Sequence, residues 1–280
     1  MKFGINTLLW TAAFGEEHLE LLPRIKEWGF DGVEIARFSF DDFPAAKVRA
    51  ALEREGLECT LCSALTGEMS LVTPDAEIRQ ATLAFLEQGI RTASELGSSV
   101  FLGPFCSAVG KMTGQRPTLE EWKRAVDGLQ SLGRQLDASD VLLAHEPLNR
   151  FETYFNTLAD DAFRLCEEAQ HPRLGVLFDT FHANIEEKDS ASVIRRVSKR
   201  LHHVHTCESD RGIPGTGQVH WESVLQALQD VDYDRWLVIE SFGSGIPEIA
   251  AAVCLWRDVA PSPESIAIEG LRFLREKTGH

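Results

Sequence analysis

The stretch Val141-Leu142-Leu143-Ala144-His145-Glu146-Pro147-Leu148-Asn149-Arg150-Phe151-Glu152 changes character halfway. Its first four residues form an apolar run of strand length, too short for a buried helix. Pro147 has no N–H to give to a ladder and ends the run. Around it stand an imidazole, a carboxylate, an amide, a guanidinium and a second carboxylate. Such groups cost free energy when buried without partners. The stretch therefore reads as a buried strand that delivers a site at its exit.

Strand-like and helix-like segments alternate on both sides of it. Upstream, strands are expected at residues 2–8, 32–35, 57–64 and 99–103. Downstream they are expected at 174–179, 201–205 and 236–240, with 141–146 between the two groups. Helical spacing of apolar residues fills the gaps at 16–28, 44–55, 158–170, 190–199 and 221–230. Thr73-Pro74-Asp75 reads as a helix start, with Thr73 as the capping hydroxyl, and Gly97 as its stop. Thr118-Leu119-Glu120-Glu121 is a capping box that opens a helix with Leu119, Trp122, Val126, Leu129 and Leu136 in helical register. Two closing helices begin near residue 246 and at Ser262-Pro263-Glu264. Eight strand–helix units imply parallel strands with right-handed crossovers. Closed on themselves they make an α/β fold, the (β/α)8 TIM barrel, as one domain over residues 1–280. An open doubly wound sheet would need a glycine-rich dinucleotide loop after an early strand, and Asn6-Thr7-Leu8-Leu9-Trp10 has none.

The formal net charge is −15, with Lys and Arg scattered. Phosphate neutralisation needs a basic face, so nucleic acid is not an expected partner. No apolar run of about 18 residues is present, so no membrane span is expected. The N-terminus reads as a first strand rather than a secretory leader, which makes the cytoplasm the expected location. Among the cysteines at 59, 62, 106, 166, 207 and 254, only Cys59 and Cys62 have metal-like spacing. In a strand they would face opposite sides, so structural thiols are expected.

In such a barrel the active site lies at the C-terminal strand ends. The last four strands end at Glu146, Asp179, His205 and Glu240. A lone acid there often caps the next helix, and a lone strand histidine is more often a core residue. Four at successive strand ends point instead to a divalent metal. Three carboxylates and one imidazole suit Mn²⁺, Mg²⁺ or Co²⁺ better than a thiolate-seeking ion. His182 and Arg211 stand close by in sequence, and Gly212-Ile213-Pro214-Gly215-Thr216-Gly217 reads as a flexible rim loop or a substrate contact. His202 and His203 carry no assignment.

Several segments resemble the xylose-isomerase-like sugar isomerases and epimerases, within them the D-tagatose 3-epimerase and D-psicose (D-allulose) 3-epimerase group. They are Glu146 to Glu152, Asp179 to Glu187, His203-Val-His205 with Glu208 and Arg211, the 214–217 turn, and Ile239-Glu240 followed by Trp256-Arg-Asp258. The first 140 residues match in architecture more than in motif. The resemblance implies one divalent metal, Mn²⁺ first with Co²⁺ or Mg²⁺ as alternatives, on Glu146, Asp179, His205 and Glu240. It implies substrate contacts from Glu152, His182 and Arg211, and a homo-oligomer, dimer or tetramer. The implied activity is that of an isomerase, a metal-dependent ketose 3-epimerase. It would remove and return the C3 proton of a ketohexose-type sugar through a metal-stabilised enediolate. Inversion needs acid/base groups on two faces, which Glu146 and Glu240 can supply.

Aldose–ketose isomerisation of a sugar or sugar phosphate on the same metal site is the alternative. Gly243-Ser244-Gly245 stands at a usual barrel phosphate position. A multi-zinc DNA phosphodiesterase would need more histidines and a basic groove. A non-catalytic sugar-binding protein would need no pair of acid/base carboxylates. The loops at 6–14 and 105–109 are expected to line the far end of the sugar, and Trp256 to be core or interface.

Overall fold

The computed structural model describes residues 1–279. Eight parallel strands close into a barrel in sequence order. They are β1 (Lys2–Asn6), β2 (Gly32–Ala36), β3 (Glu58–Cys62), β4 (Val100–Gly103), β5 (Leu142–His145), β6 (Leu174–Asp179), β7 (Leu201–His205) and β8 (Trp236–Ile239). Outside lie α1 (Leu21–Glu27), α2 (Ala45–Glu55), α3 (Ala76–Leu96), α4 (Leu119–Ser131), α5 (Gly133–Asp137) and α6 (Ala159–Ala169). After them come α7 (Thr180–Glu186), α8 (Ser190–Val197), α9 (Trp221–Asp230), α10 (Pro247–Ala252) and α11 (Pro263–Thr278). The β1–β8 pairing that closes the barrel runs from Lys2 opposite Trp236 to Ile5 opposite Ile239.

Strand alternation sorts the side chains into two cores. Phe3, Ile5, Val33, Ile35, Leu143 and Val204 face outward and pack beneath the helices. Val100, Leu102, Ala144, Leu177, Trp236 and Val238 fill the barrel itself. One inward step beyond Ala144, Leu177, His203 and Val238 are Glu146, Asp179, His205 and Glu240. The same period of two that fills the barrel therefore delivers the four polar residues to its upper rim.

Several local expectations need correction. The N-cap of α3 is Asp75, whose carboxylate accepts from the Glu77 and Ile78 N–H groups. Thr73 instead accepts the N–H of Asp75, so the cap lies two residues later than expected. The 16–28 segment is a 3₁₀ turn followed by the shorter α1. The Thr118–Glu121 capping box forms in both directions. Leu119, however, is 76% exposed, because a first-turn residue overhangs the core. Trp256 is 75% exposed and not core. Cys59 and Cys62 are buried and unpaired. Cys59 packs under the helices, Cys62 inside the barrel. The 180–186 helix was not expected, its seven residues directly following a strand.

Gly103 ends β4 at φ +142°, and a Cβ there would lie 1.8 Å from the Ser63 carbonyl oxygen. Its own carbonyl accepts the N–H of Glu146. Gly103→Ala therefore meets backbone on one side and strain on the other. It should destabilise the fold by about 3 kcal/mol, read as a fall in the urea unfolding midpoint. An unchanged midpoint would contradict this packing.

Candidate active site

Glu146 is the first residue beyond β5, Asp179 and His205 end β6 and β7, and Glu240 is the first beyond β8. Asp179 pairs with His205 in the ladder. One ligand atom from each of the four lies within 4.8 Å of all the others, and all four residues are buried. His205 Nδ1 stands 3.5 Å from Glu240 Oε2, 3.7 Å from Glu146 Oε1 and 3.8 Å from Asp179 Oδ2. Glu146 Oε1 and His205 Nδ1 are both buried without a hydrogen-bond partner. Electron-pair donors that converge unpaired in a dry interior fit a divalent cation, and the mixed oxygen/nitrogen set suits a hard or borderline one. Asp179 also caps α7, its Oδ1 accepting the Phe181 N–H at 2.7 Å. The capping and the cluster roles use different oxygens.

Arg211 enters this cluster from the loop after β7, at φ +63°. Its Nη1 donates to Asp179 Oδ2 at 2.8 Å and to Glu240 Oε2 at 2.9 Å. The guanidinium carbon lies 4.0 Å from the Phe181 ring centre and 4.9 Å from that of Phe242. Glu208 fixes the loop that carries it. Its carboxylate accepts the N–H groups of Ser209, Gly215 and Val219 and the indole N–H of Trp221. The 212–217 segment is thus pinned rather than flexible, and none of it lines the cavity.

His182 sits on the short α7, over Glu146. Its Nδ1 accepts the Asn149 backbone N–H at 3.1 Å. Burial lowers its pKa to about 3, so the ring is neutral and its proton resides on Nε2. That Nε2 lies 3.6 Å from Glu146 Oε1 and 3.3 Å from Arg211 Nη2. Asn149 Nδ2 also reaches Glu152 Oε1 at 2.7 Å. Asn149 therefore ties Glu152 to His182. Arg150 points away, in a two-point contact with Glu186.

Charges in the cluster separate. Burial, then the charge of Glu240, pushes the Glu146 carboxyl well above the usual range. Burial alone would raise Asp179 too, but Arg211, His182 and His205 hold it well below. Burial raises Glu152, with Arg211 and Asn149 opposing. The adjoining cavity is about 290 Å³. Glu146, Glu152, His182, Arg211 and Glu240 line one part of it, and Leu8, Ala12, Phe38, Val109, Ile249 and Val253 another. Trp10 takes no part and stacks on Trp28, with ring centres 5.8 Å apart.

Four polar residues below the cluster went unassigned in the sequence: Asn6, Glu34, Thr60 and His203, all buried. Glu34 had a readable signal, a lone acid at an inward position of the otherwise apolar segment Gly32-Val33-Glu34-Ile35-Ala36. The described part of the chain contains no helix long and apolar enough to cross a membrane.

A family model described as a xylose isomerase-like TIM barrel matches residues 22–277. A probable ketose 3-epimerase of Synechocystis sp. is 37% identical over 277 residues, covering 99% of this chain and 96% of that protein. A ketose 3-epimerase of Arthrobacter globiformis is 31% identical over 285 residues, with 99% and 96% covered. Among solved structures, a D-allulose 3-epimerase from Methylomonas sp. in complex with D-allulose aligns at a TM-score of 0.93 and 25% identity. That alignment covers 99% of this chain and 97% of the other.

The outward course of Arg150 gives a direct expectation. Arg150→Ala should lower the melting temperature, because Glu186 keeps the backbone N–H of residue 150 but loses the guanidinium, and leave the order of preference among sugars unchanged. A changed preference in a panel of initial rates would place Arg150 in the site after all.

Proposed function

The chain belongs to the xylose isomerase-like TIM barrel family, and from that premise we propose that it is a metal-dependent ketose 3-epimerase, an isomerase. The observation that carries the reading is the cluster itself: two carboxylates, Glu146 and Glu240, reach one buried centre from strands separated by β6 and β7. Glu146, Asp179, His205 and Glu240 would hold the ion. We assign Mn²⁺, with Co²⁺ or Mg²⁺ able to replace it, from the oxygen-rich donor set. When bound there, the ion supplies Lewis acidity that draws charge from a ketose carbonyl and makes the neighbouring C–H proton easier to remove.

The remaining work falls to the side chains. Glu146 and Glu240 act as the acid/base pair, one removing the C3 proton and the other returning one to the opposite face, with roles exchanged for the other epimer. His182 Nε2–H and Arg211 Nη2 are both donors at 3.3 Å, so neither satisfies the other. A substrate oxygen lodged against them accepts from both, and the charge that develops on it is stabilised. Glu152, held by Asn149, orients a sugar hydroxyl.

The substrate is proposed to be a free ketose rather than a phosphorylated one. Ser244 is bonded to Asp258, and Glu248 lines the cavity. Arg211 is the one permanently cationic side chain among the described residues that line it, and it is engaged by Asp179 and Glu240. This lining equally opposes a DNA phosphodiester. The reading extends to one barrel domain working in the cytoplasm, supported by six unpaired cysteines. It extends also to a homo-oligomer, dimer or tetramer, supported by the exposed Phe151 and Trp256.

The test is a panel of free and phosphorylated ketoses incubated with the protein and Mn²⁺, with products identified by chromatography and NMR. C3 epimers of free ketoses are expected, and chelation of the metal should abolish turnover until Mn²⁺ is restored. Aldoses as sole products would overturn the epimerase, and turnover of phosphorylated sugars alone would overturn the substrate. At saturating Mn²⁺, Glu240→Gln should retain sugar binding and lose more than about 10³-fold in turnover. An active variant would end the two-carboxylate mechanism.

A further inference from the structure

Glu34 lies inside the barrel, below the metal-ligand cluster, and is fully buried. Four side chains converge on its carboxylate. Oε1 accepts Asn6 Nδ2 at 2.8 Å and lies 2.7 Å from His205 Nε2. Oε2 accepts the Thr60 hydroxyl at 2.8 Å and lies 2.8 Å from His203 Nε2. The contacts come from β1, β3 and β7. Because β1 and β8 stand between β2 and β7 in the barrel, the Glu34–His205 contact spans the interior and is no by-product of ladder pairing. A buried carboxylate costs several kcal/mol unless fully bonded. An apolar side chain would fill this space without needing four partners, so packing alone does not account for the choice.

The consequence falls on His205. A neutral imidazole has one N–H and one lone pair. With Nε2 at 2.7 Å from a carboxylate oxygen, the proton belongs on Nε2, since a lone pair there would face another lone pair. Nδ1 is then left as the electron-pair donor. It is the atom that is buried, unpartnered and turned toward Glu240, Glu146 and Asp179. Atoms of Glu34, His203 and His205 also lie within 4.8 Å of one another. His205 Nε2 and Glu34 Oε1, at 2.7 Å, satisfy each other, whereas His203 Nε2 lies 2.8 Å from Oε2 without a hydrogen bond.

We propose that Glu34 is a positioning residue of the metal centre: by holding the Nε2–H of His205 it turns the Nδ1 lone pair toward the ion shared with Glu146, Asp179 and Glu240. The inference rests on the reading of those residues as metal ligands. Glu34 touches neither the ion nor the sugar. It sets the tautomer and the angle of one ligand and makes that ligand a stronger donor.

The test measures Mn²⁺ binding to the native chain and to Glu34→Gln and Glu34→Asp, from the paramagnetic resonance signal of the free ion. Glu34→Gln keeps the shape and removes the charge. Glu34→Asp keeps the charge and withdraws the oxygens by one methylene. Each folded variant should raise the dissociation constant about 10- to 100-fold and shift the visible spectrum of bound Co²⁺, which a merely structural residue would leave alone. Unchanged affinity in a folded variant overturns the role of Glu34. A native chain that fails to bind Mn²⁺ is a separate result, which sinks the metal reading itself. Should neither variant fold, nitrogen NMR of the native chain loaded with Mg²⁺ decides. A His205 proton on Nε2 with Nδ1 coordinated supports the proposal, and a proton on Nδ1 overturns it.

Discussion

Three carboxylates share one end of this barrel with a single imidazole nitrogen, all within 4.8 Å. Two like charges about 4 Å apart repel by about 4 kcal/mol even at an effective dielectric near 20. All three ionised together would need compensation on that scale. Arg211 supplies one positive charge and spends it on Asp179 and Glu240. Glu146 receives no contact from it, and burial beside Glu240 drives its carboxyl upward. A divalent ion among the same oxygens would supply two positive charges more.

The surrounding architecture is arranged to keep Arg211 and the clustered carboxylates in register. Arg211 adopts a left-handed backbone conformation that an ordinary loop would relax. Here the Glu208 carboxylate gathers the loop behind it, and burial, which alone would raise the Glu208 pKa, is outweighed by the backbone and indole N–H groups that it accepts. Phe181 and Phe242 hold the guanidinium from the side. Phe181 belongs to α7, the helix that Asp179 caps. Asp179 therefore starts the helix that steadies Arg211 and presents His182. Local strain is offset by contacts that the site itself supplies.

The eight strands and the four rim residues were legible because both obey simple periods. A strand buried on both sides reads as an apolar run, and a carboxylate at its exit stands out against it. Glu34 was harder to read. It sits in mid-strand, where an acid has no helix to cap and no turn to enter, and its partners Asn6, Thr60, His203 and His205 come from distant segments. Only the closed barrel brings them together. Asp75 displaced Thr73 as a cap because its carboxylate reaches two backbone N–H groups at once. The path of Trp10 was not legible either, since its alternative to the cavity was Trp28, a tertiary partner that no local pattern announces. The part played by Asn149 became visible only through its hydrogen bonds to both Glu152 and His182.

The same geometry bears on the choice between epimerisation and aldose–ketose isomerisation. Shuttling a proton between adjacent carbons on one face needs one base that stays with the proton. Inverting a carbon needs a donor on the face opposite the acceptor, because the planar intermediate must be reprotonated from the other side. Glu146 and Glu240 arise from β5 and β8, with the Asp179 and His205 strands between them. Their environments also differ. Glu240 is bonded to Arg211, whereas Glu146 Oε1 has no hydrogen-bond donor. Two carboxyls held in unequal surroundings around one centre are what an acid and a base acting on opposite faces of one carbon require.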